Sequence, residues 1–343
     1  MPTALVTGAT GLVGSHLVER LVAGGWRAIA LVRDPAAAAW LVPLGAEPRA
    51  GDVLDARSLA DAARGADVVF HTAAAITPRG GWEAYRRPNV DGTANALAAA
   101  ERAGARLLQL SSVAVYGPSA RYGDRKTGED TPLAPLPAGA HYASSKRESE
   151  SLVLAAHRAG RVWTTAIRPS VIYGPRDRQF VPRAARLLST GVAPIVGAGR
   201  STLAIVQAAN VADAAFLAAT ADAAGGRAYN VADDFDVTVA DFVRLAAVGL
   251  GRRVRALSLP PFAARAAVAV ARRGAALLRG DAAGIMASST YDFLARDNPF
   301  TSERARRELG WEPAVRPEEG IPAAFRWAAE HALGRGSRGA GPW

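Results

Sequence analysis

Short, mostly apolar runs recur through the first 170 residues: TALVT at 3–7, RAIALV at 27–32, DVVFH at 67–71, RLLQLSS at 106–112 and VWTTAIR at 162–168. A strand with one wet face alternates apolar and polar residues, whereas near-continuous runs suit strands buried on both faces. Between them, stretches 12–23, 57–64, 83–103 and 143–159 repeat apolar positions at helical spacing. This alternation predicts an α/β fold with a doubly wound parallel sheet and helices on both faces. Right-handed crossovers put the loops after the strands along one edge, where ligands bind in such folds.

After residue 170 the rhythm changes. Residues 174–204 are rich in Gly, Pro and Arg, AYNVAD (228–233) reads as a further strand, and 238–250 is helical. Residues 301–331 read as two helices around a Trp311-Glu312-Pro313 turn, with Thr301 or Ser302 as the cap of the first. The expected division is 1–172 with 205–232 as the sheet-bearing domain, 173–204 with 233–331 as a smaller, mostly C-terminal lobe, and 332–343 as a flexible tail.

Composition narrows the function. Half of the 343 residues are apolar, which excludes a disordered chain. With no Cys there can be no disulfide scaffold, Cys-ligated zinc, iron–sulfur cluster or thiol nucleophile, and a cytoplasmic location is expected. No His/Asp/Glu cluster has metal-ligand spacing. The formal charge is +10, carried almost wholly by Arg, since Lys126 and Lys146 are the chain's two lysines. The arginines are scattered rather than interleaved with aromatics on one element, so no nucleic-acid partner is expected. The stretch 256–278 is interrupted by Arg265, Arg272 and Arg273 and falls short of the roughly 20 apolar residues a membrane span needs. It reads as an amphipathic helix over a pocket, with membrane-surface contact as the alternative. The N-terminus has no basic leader and no targeting segment is expected.

The first strand runs into Thr7-Gly8-Ala9-Thr10-Gly11-Leu12-Val13-Gly14, which opens a helix. Gly8 permits the tight turn, Gly11 lets backbone N–H groups approach a pyrophosphate at the helix's positive end, and Gly14 lets helix and strand pack closely. The turn predicts a dinucleotide site. The second strand ends in Val32-Arg33-Asp34, without the carboxylate that would bind a ribose 2′-hydroxyl. Arg33 can neutralise a 2′-phosphate, so NADP(H) is expected over NAD(H), with Asp34 pointing inward or capping the next helix.

Tyr142-Ala143-Ser144-Ser145-Lys146 puts Tyr and Lys four residues apart on one helix face. A phenol with a pKa of about 10 is a poor acid–base catalyst at neutral pH, and a neighbouring ammonium is expected to lower it. Such a Tyr can protonate a ketone oxygen as hydride reaches the carbon, with a Ser hydroxyl holding that oxygen. Tyr122 and Lys126 share the spacing but sit in RYGDRKTGEDTP, a loop-like context where it aligns nothing.

TGATGLVG, HTAA (71–74), NVDGT (89–93), LSSVAVYG (110–117), YASSK and RPSVIYGP (168–175), in this order, resemble the extended short-chain dehydrogenase/reductase family, and NPFTSERARRELGWEP (298–313) resembles its C-terminal element. The resemblance implies a Rossmann-type fold and a Ser112–Tyr142–Lys146 active site. Ser112 would bond the reacting oxygen, Tyr142 would be the acid/base, and Lys146 would bind the nicotinamide ribose and lower the Tyr142 pKa. It further implies that Gly8, Thr10, Gly11, Leu12, Val13 and Arg33 bind the cofactor, that Asp52 and Val53 contact adenine, and that Thr72, Ala73 and Ala74 line it. Pro169 to Val171 would approach the nicotinamide. Asn89 and Thr93 would fix their helix instead, and the chain would form a homodimer.

The Val32-Arg33-Asp34-Pro35 segment resembles the branch of dihydroflavonol reductases and 3β-hydroxysteroid dehydrogenases, which interconvert ketones and secondary alcohols on bulky, often apolar substrates. The rival branch, nucleotide-sugar epimerases and dehydratases with tightly held NAD, is disfavoured by Ile76, by Leu203-Ala204-Ile205 and by Val113-Ala114 at that branch's functional positions. A non-catalytic dinucleotide sensor is a minor third reading. Arg176, Arg178, Arg183 and Arg200 read as surface charge, His71 as structural and His141 as solvent-facing.

Overall fold

Strand β1 (Thr3–Thr7) is buried at all five positions, as its apolar run requires. It is the hub of a parallel seven-stranded sheet. On one side lie β2 (Arg27–Val32) and β3 (Ala46–Ala50); on the other lie β4 (Val68–His71), β5 (Arg106–Leu110), β6 (Thr164–Pro169) and, at the far edge, β10 (Ala228–Val231). The register runs Ala4↔Ala28 and Ala4↔Val68 about the hub. The computed structural model describes residues 1–76, 80–118, 126–232, 235–266, 269–270 and 291–333. Tyr122, the part of the 256–278 stretch beyond 270 and the tail beyond 333 lie outside them.

Helices cover both faces. On one, α1 (Leu12–Ala23) packs against α7 (Ala208–Thr220) over Leu17, Val18, Phe70 and Ile167. On the other, α2 (Ala56–Ala63), α4 (Gly92–Ala103) and α5 (His141–Arg158) enclose Leu5, Leu59, Val69 and Leu107. A second core gathers α6 (Phe180–Leu188), α8 (Val239–Leu250) and α10 (Pro317–Ala328) around Phe242, Ile321 and Phe325. Two small parallel pairs flank it, β7 (Val171–Tyr173) with β9 (Ile205–Gln207), and β8 (Val192–Val196) with β11 (Arg255–Leu259).

Several local expectations change. The helix expected over 83–103 is broken into α3 (Trp82–Arg86), a π-helical turn (Arg87–Asp91) and α4. Pro88 has no N–H to give an ordinary helical ladder, and the widened turn is the local response. It lets the Asn89 carboxamide bond Ala75 through both backbone groups and reach Ser145 Oγ. Ser302 precedes α9 (Glu303–Leu309), yet its hydroxyl is drawn to the Ala232 N–H; Thr301 Oγ1 accepts from Glu303 N–H instead. The Trp-Glu-Pro turn is held by Asn210 of α7, whose Oδ1 accepts from the N–H groups of Ala314 and Val315 while its backbone carbonyl accepts from the buried Trp311 indole.

Candidate active site

The loops leaving the carboxyl ends of β1 to β6 meet around a cavity of about 1360 Å³. Every residue singled out for cofactor or catalysis lines it: Gly8, Thr10, Gly11, Leu12 and Val13 of the glycine turn; Arg33; Asp52 and Val53; Thr72, Ala73 and Ala74; Ser112, Tyr142 and Lys146; Pro169 and Val171. Asn89 and Thr93 do not. They stand behind the wall, with Thr93 Oγ1 against His71 Nε2 and Asn89 on Ala75.

The glycine turn is shaped by steric exclusion. Gly8 has φ +68°, and a Cβ there would come within 2.7 Å of the Ala73 nitrogen. A Cβ on Gly14 would sit 2.2 Å from the Gly8 carbonyl oxygen, so the helix can approach the strand only with glycine there. Gly11 stands at the N-cap of α1, with no side chain bonding the first-turn N–H groups. Those donors and the helix dipole face the cavity, the chemistry a pyrophosphate needs. The residues present therefore fit a dinucleotide. Gly14→Ala is expected to cost about 1–3 kcal/mol from overpacking and to weaken cofactor binding, read as a lower Tm and a raised Kd. An unchanged Tm would show that strand and helix can separate freely.

Arg33 is exposed at the cavity rim, and no described carboxylate pairs with it. Asp34, the residue left open, turns away: its Oδ1 accepts from the N–H groups of Ala36 and Ala37 at 2.9 and 3.2 Å. Across the glycine turn, Arg178 donates to the Thr10 carbonyl at 3.2 Å. Arg176, in the left-handed region at φ +72°, is paired with Glu19 of α1. These two cations tie the β7–α6 loop to the cofactor turn rather than serving as loose surface charge. Asp177 beside them is buried and takes three N–H groups at the start of α6.

Beyond β5, Ser112 Oγ accepts from Ala114 N–H at 3.2 Å, and its hydroxyl is the neighbour that bears on the Tyr142 phenol. The adjacent Ser111 is buried, and its hydroxyl meets no partner among the described residues. Burial pushes the Tyr142 phenol above its ordinary value, and the Ser112 hydrogen bond works the other way. The expected lowering by Lys146 is not what the structure gives. Lys146 is buried with Nζ donating to the Leu110 carbonyl at 2.8 Å, and burial pulls its own pKa down to about 8 against the opposing pull of Glu150. Taking the ammonium out of water disfavours its charged form, and the shift on Tyr142 is set by burial and Ser112.

Behind this set lies a polar network that motif reading missed. Arg168, the first residue of RPSVIYGP, pairs bidentately with Glu150 at 2.9 and 2.6 Å, and its other nitrogen donates to Tyr116 Oη at 2.8 Å. Tyr116 in turn donates to Asn230. Glu129, read as a loop residue, is buried with its carboxylate on the Asn230 N–H. The signal available was five polar residues able to pair, spread over more than a hundred positions, which no local spacing displays. His71 is structural, bonded by Thr7 and Thr93 and held neutral as burial and then Lys146 lower its pKa to about 3. His141 is not solvent-facing: it is half-buried against Trp82 and Tyr85.

Another stretch of the cavity lining is apolar, with Phe180, Leu203, Phe242 and Phe293 from the second core and Phe300 from a smaller cluster around Tyr116. Among the described residues no helix is long and apolar enough to cross a membrane.

Comparison with known proteins places this arrangement. Residues 4–232 match the model of the NAD-dependent epimerase/dehydratase family. The chain is 32% identical over 320 residues to the 4-hydroxy-2-methyl-3-oxo-4-farnesyl-3,4-dihydroquinoline-1-oxide ketoreductase of Stigmatella aurantiaca, covering 93% of this chain and 94% of that protein. It is equally 32% identical to the 2-alkyl-3-oxoalkanoate reductase of Stenotrophomonas maltophilia (strain K279a), over 92% and 96% of the two chains. The solved structure of MoeE5 in complex with UDP-glucose and NAD superposes with a TM-score of 0.70 at 25% identity, covering 96% of this chain and 99% of that one. The chain belongs to the NAD-dependent epimerase/dehydratase family, in the extended short-chain dehydrogenase/reductase branch that includes ketoreductases and 3β-hydroxysteroid dehydrogenases.

Proposed function

We propose that this protein is an NADP(H)-dependent oxidoreductase that interconverts a ketone and a secondary alcohol on a bulky, apolar substrate. One observation carries the reading: Ser112, Tyr142 and Lys146 line the same cavity as the glycine turn and an aromatic, apolar wall. When bound, the cofactor supplies the hydride. Ser112 holds the carbonyl oxygen, Tyr142 gives it a proton, and Lys146 holds the cofactor ribose. A phenol kept protonated by burial is suited to the reductive direction. The second core, built on α6, α8 and α10, encloses the substrate and excludes water. The two ketoreductase relatives, both acting on ketones by name, support the substrate class.

A panel of carbonyl compounds that includes long-chain 3-oxo acids and prenylated ketones, scored by NADPH oxidation beside NADH, tests this. No turnover of any ketone would refute it. Arg33→Ser should raise the KM for NADPH roughly 10- to 100-fold, the loss of one charge-assisted contact, while the KM for NADH stays near its starting value. Equal effects on both cofactors would mean that Arg33 does not read the 2′-phosphate.

The likeness to MoeE5 with UDP-glucose favours a second reading, a nucleotide-sugar epimerase or dehydratase. A sugar diphosphate needs cations; Ile76, Leu203 and Ala204 of this cavity supply none, while Arg183 lines the same cavity. Protein purified with tightly held NAD would favour this second reading; protein that arrives empty and takes up NADPH favours the first.

A further inference from the structure

Two stretches of this chain carry arginines and no acidic residue. Residues 182–200 carry Arg183, Arg186 and Arg200 with no acidic residue, and residues 251–266 carry Arg252, Arg253, Arg255 and Arg265 with none. The two segments are neighbours, because β8 and β11 pair in parallel with Val192↔Arg255, Leu257↔Pro194 and Leu259↔Val196. Residues paired in this way share a face. Ala193 and Ile195 of β8 turn inward, so the face holding Val192, Pro194, Arg255 and Leu257 turns to solvent. None of the seven arginines forms an ion pair with a described carboxylate. Two carboxylates of the adjoining 291–297 segment are already engaged, Asp292 by Arg296 and Asp297 by the Thr202 N–H.

The same surface is apolar at its centre. Phe262 is 76% exposed, Leu257 50% and Leu187 51%. Leu187, Pro194 and Arg183 also line the large cavity, so the cavity opens among them. Exposed apolar side chains on the same segments as arginines that lack a described counter-charge, beside an apolar cavity, make a poor surface to leave in water. Its chemistry matches one partner on both counts. An anionic lipid surface offers negative headgroups to the arginines and acyl chains to Phe262 and Leu257.

We infer that the β8–β11 face and the helical residues 261–266 dock the protein on an anionic bilayer, with the cavity mouth turned to the lipid so that an apolar substrate can pass between membrane and site. The inference goes beyond the reaction assigned above, and its test reads binding rather than turnover.

The test is co-sedimentation of the full-length protein with vesicles of phosphatidylcholine alone and of equal parts phosphatidylcholine and phosphatidylglycerol, at low and physiological salt. Binding is expected to the mixed vesicles, weaker at the higher salt, and not to phosphatidylcholine alone. Arg253→Glu with Arg255→Glu should weaken it by at least about 30-fold, from the contribution of each basic residue near such a surface. Leu257→Ser with Phe262→Ser should also release the protein, with Tm unchanged because both side chains are exposed. Because the whole chain is basic, a control pair far from this face, Arg57→Glu with Arg102→Glu, makes the same change in net charge. It should retain binding. Equal loss in both charge-reversed pairs would reduce the effect to diffuse attraction and overturn the proposal. So would no binding to the mixed vesicles, or a patch variant that instead turns a dimer into a monomer in light scattering.

Discussion

Tyr142→Phe should lower kcat/KM for ketone reduction by about 10²- to 10⁴-fold, the usual contribution of a positioned proton donor. Binding of NADPH, followed by fluorescence titration, should stay within about twofold, because the change removes one oxygen and leaves the ring and the Ser112–Lys146 frame in place. The argument starts from burial. The Tyr142 hydroxyl lies where its charged form is disfavoured, so its proton is held through neutral pH and is available to a carbonyl oxygen. The same physics makes the reverse reaction harder. Alcohol oxidation needs the phenolate, so its rate should climb as the pH rises into the alkaline range, while reduction needs no such rise. A Phe variant that reduces ketones within tenfold of the parent enzyme would remove Tyr142 from the chemistry and send the search to another donor on the same wall, with Ser112 first.

How much of this was legible depended on whether the information was local. Strands β1, β2, β4, β5, β6 and β10 were legible as short, mostly apolar runs because both of their faces are covered. Strand β3, with Glu47, Pro48 and Arg49, was not seen. It lies at one edge of the sheet with only Ala46 buried, whereas β10 at the other edge is buried throughout, so β3 lacks an apolar run and a residue without an N–H is tolerated. Strands β7, β8, β9 and β11 escaped because three to five residues with prolines nearby carry no usable period. The glycine turn was legible because its constraint is steric and falls within seven residues. The Tyr142–Lys146 frame was legible because four residues on a helix are neighbours by geometry. What could not be read was the electrostatic state of that frame. Whether Lys146 acidifies Tyr142 depends on how deeply both are buried and on what the ammonium bonds, which here is the Leu110 carbonyl. The pairing of Arg168 with Glu150, and the use of Arg176 and Arg178 as braces on the cofactor turn, arise only when segments far apart in the chain are brought together.

Glu150→Gln should show two separable effects. Arg168 and Glu150 are 8% and 5% exposed, so the amide leaves a guanidinium buried without its counter-charge. Breaking such a pair from one side costs about 3–5 kcal/mol, which for a chain of this length should appear as a Tm lower by roughly 4–7 °C. The second effect runs through Lys146, one helical turn away. Burial lowers its pKa from 10.5 to about 8, and Glu150 is the group that resists that fall. The sign follows directly. In the free enzyme the ammonium is present below about 8 and lost above it, so kcat/KM for reduction should be level at neutral pH and decline as the pH rises through that value. Without the Glu150 carboxylate the decline should begin at lower pH. In stability the same group acts in the opposite sense. The unfolded chain holds more protons between the two values, so Lys146 adds to stability as pH rises across that window. A purely architectural Glu150 would lower Tm and leave the pH limb where it was. The paired variant Glu150→Met with Arg168→Met distinguishes the two roles. It removes both buried charges, so most of the lost Tm should return, while the limb stays displaced toward lower pH because the carboxylate that supported Lys146 is still gone.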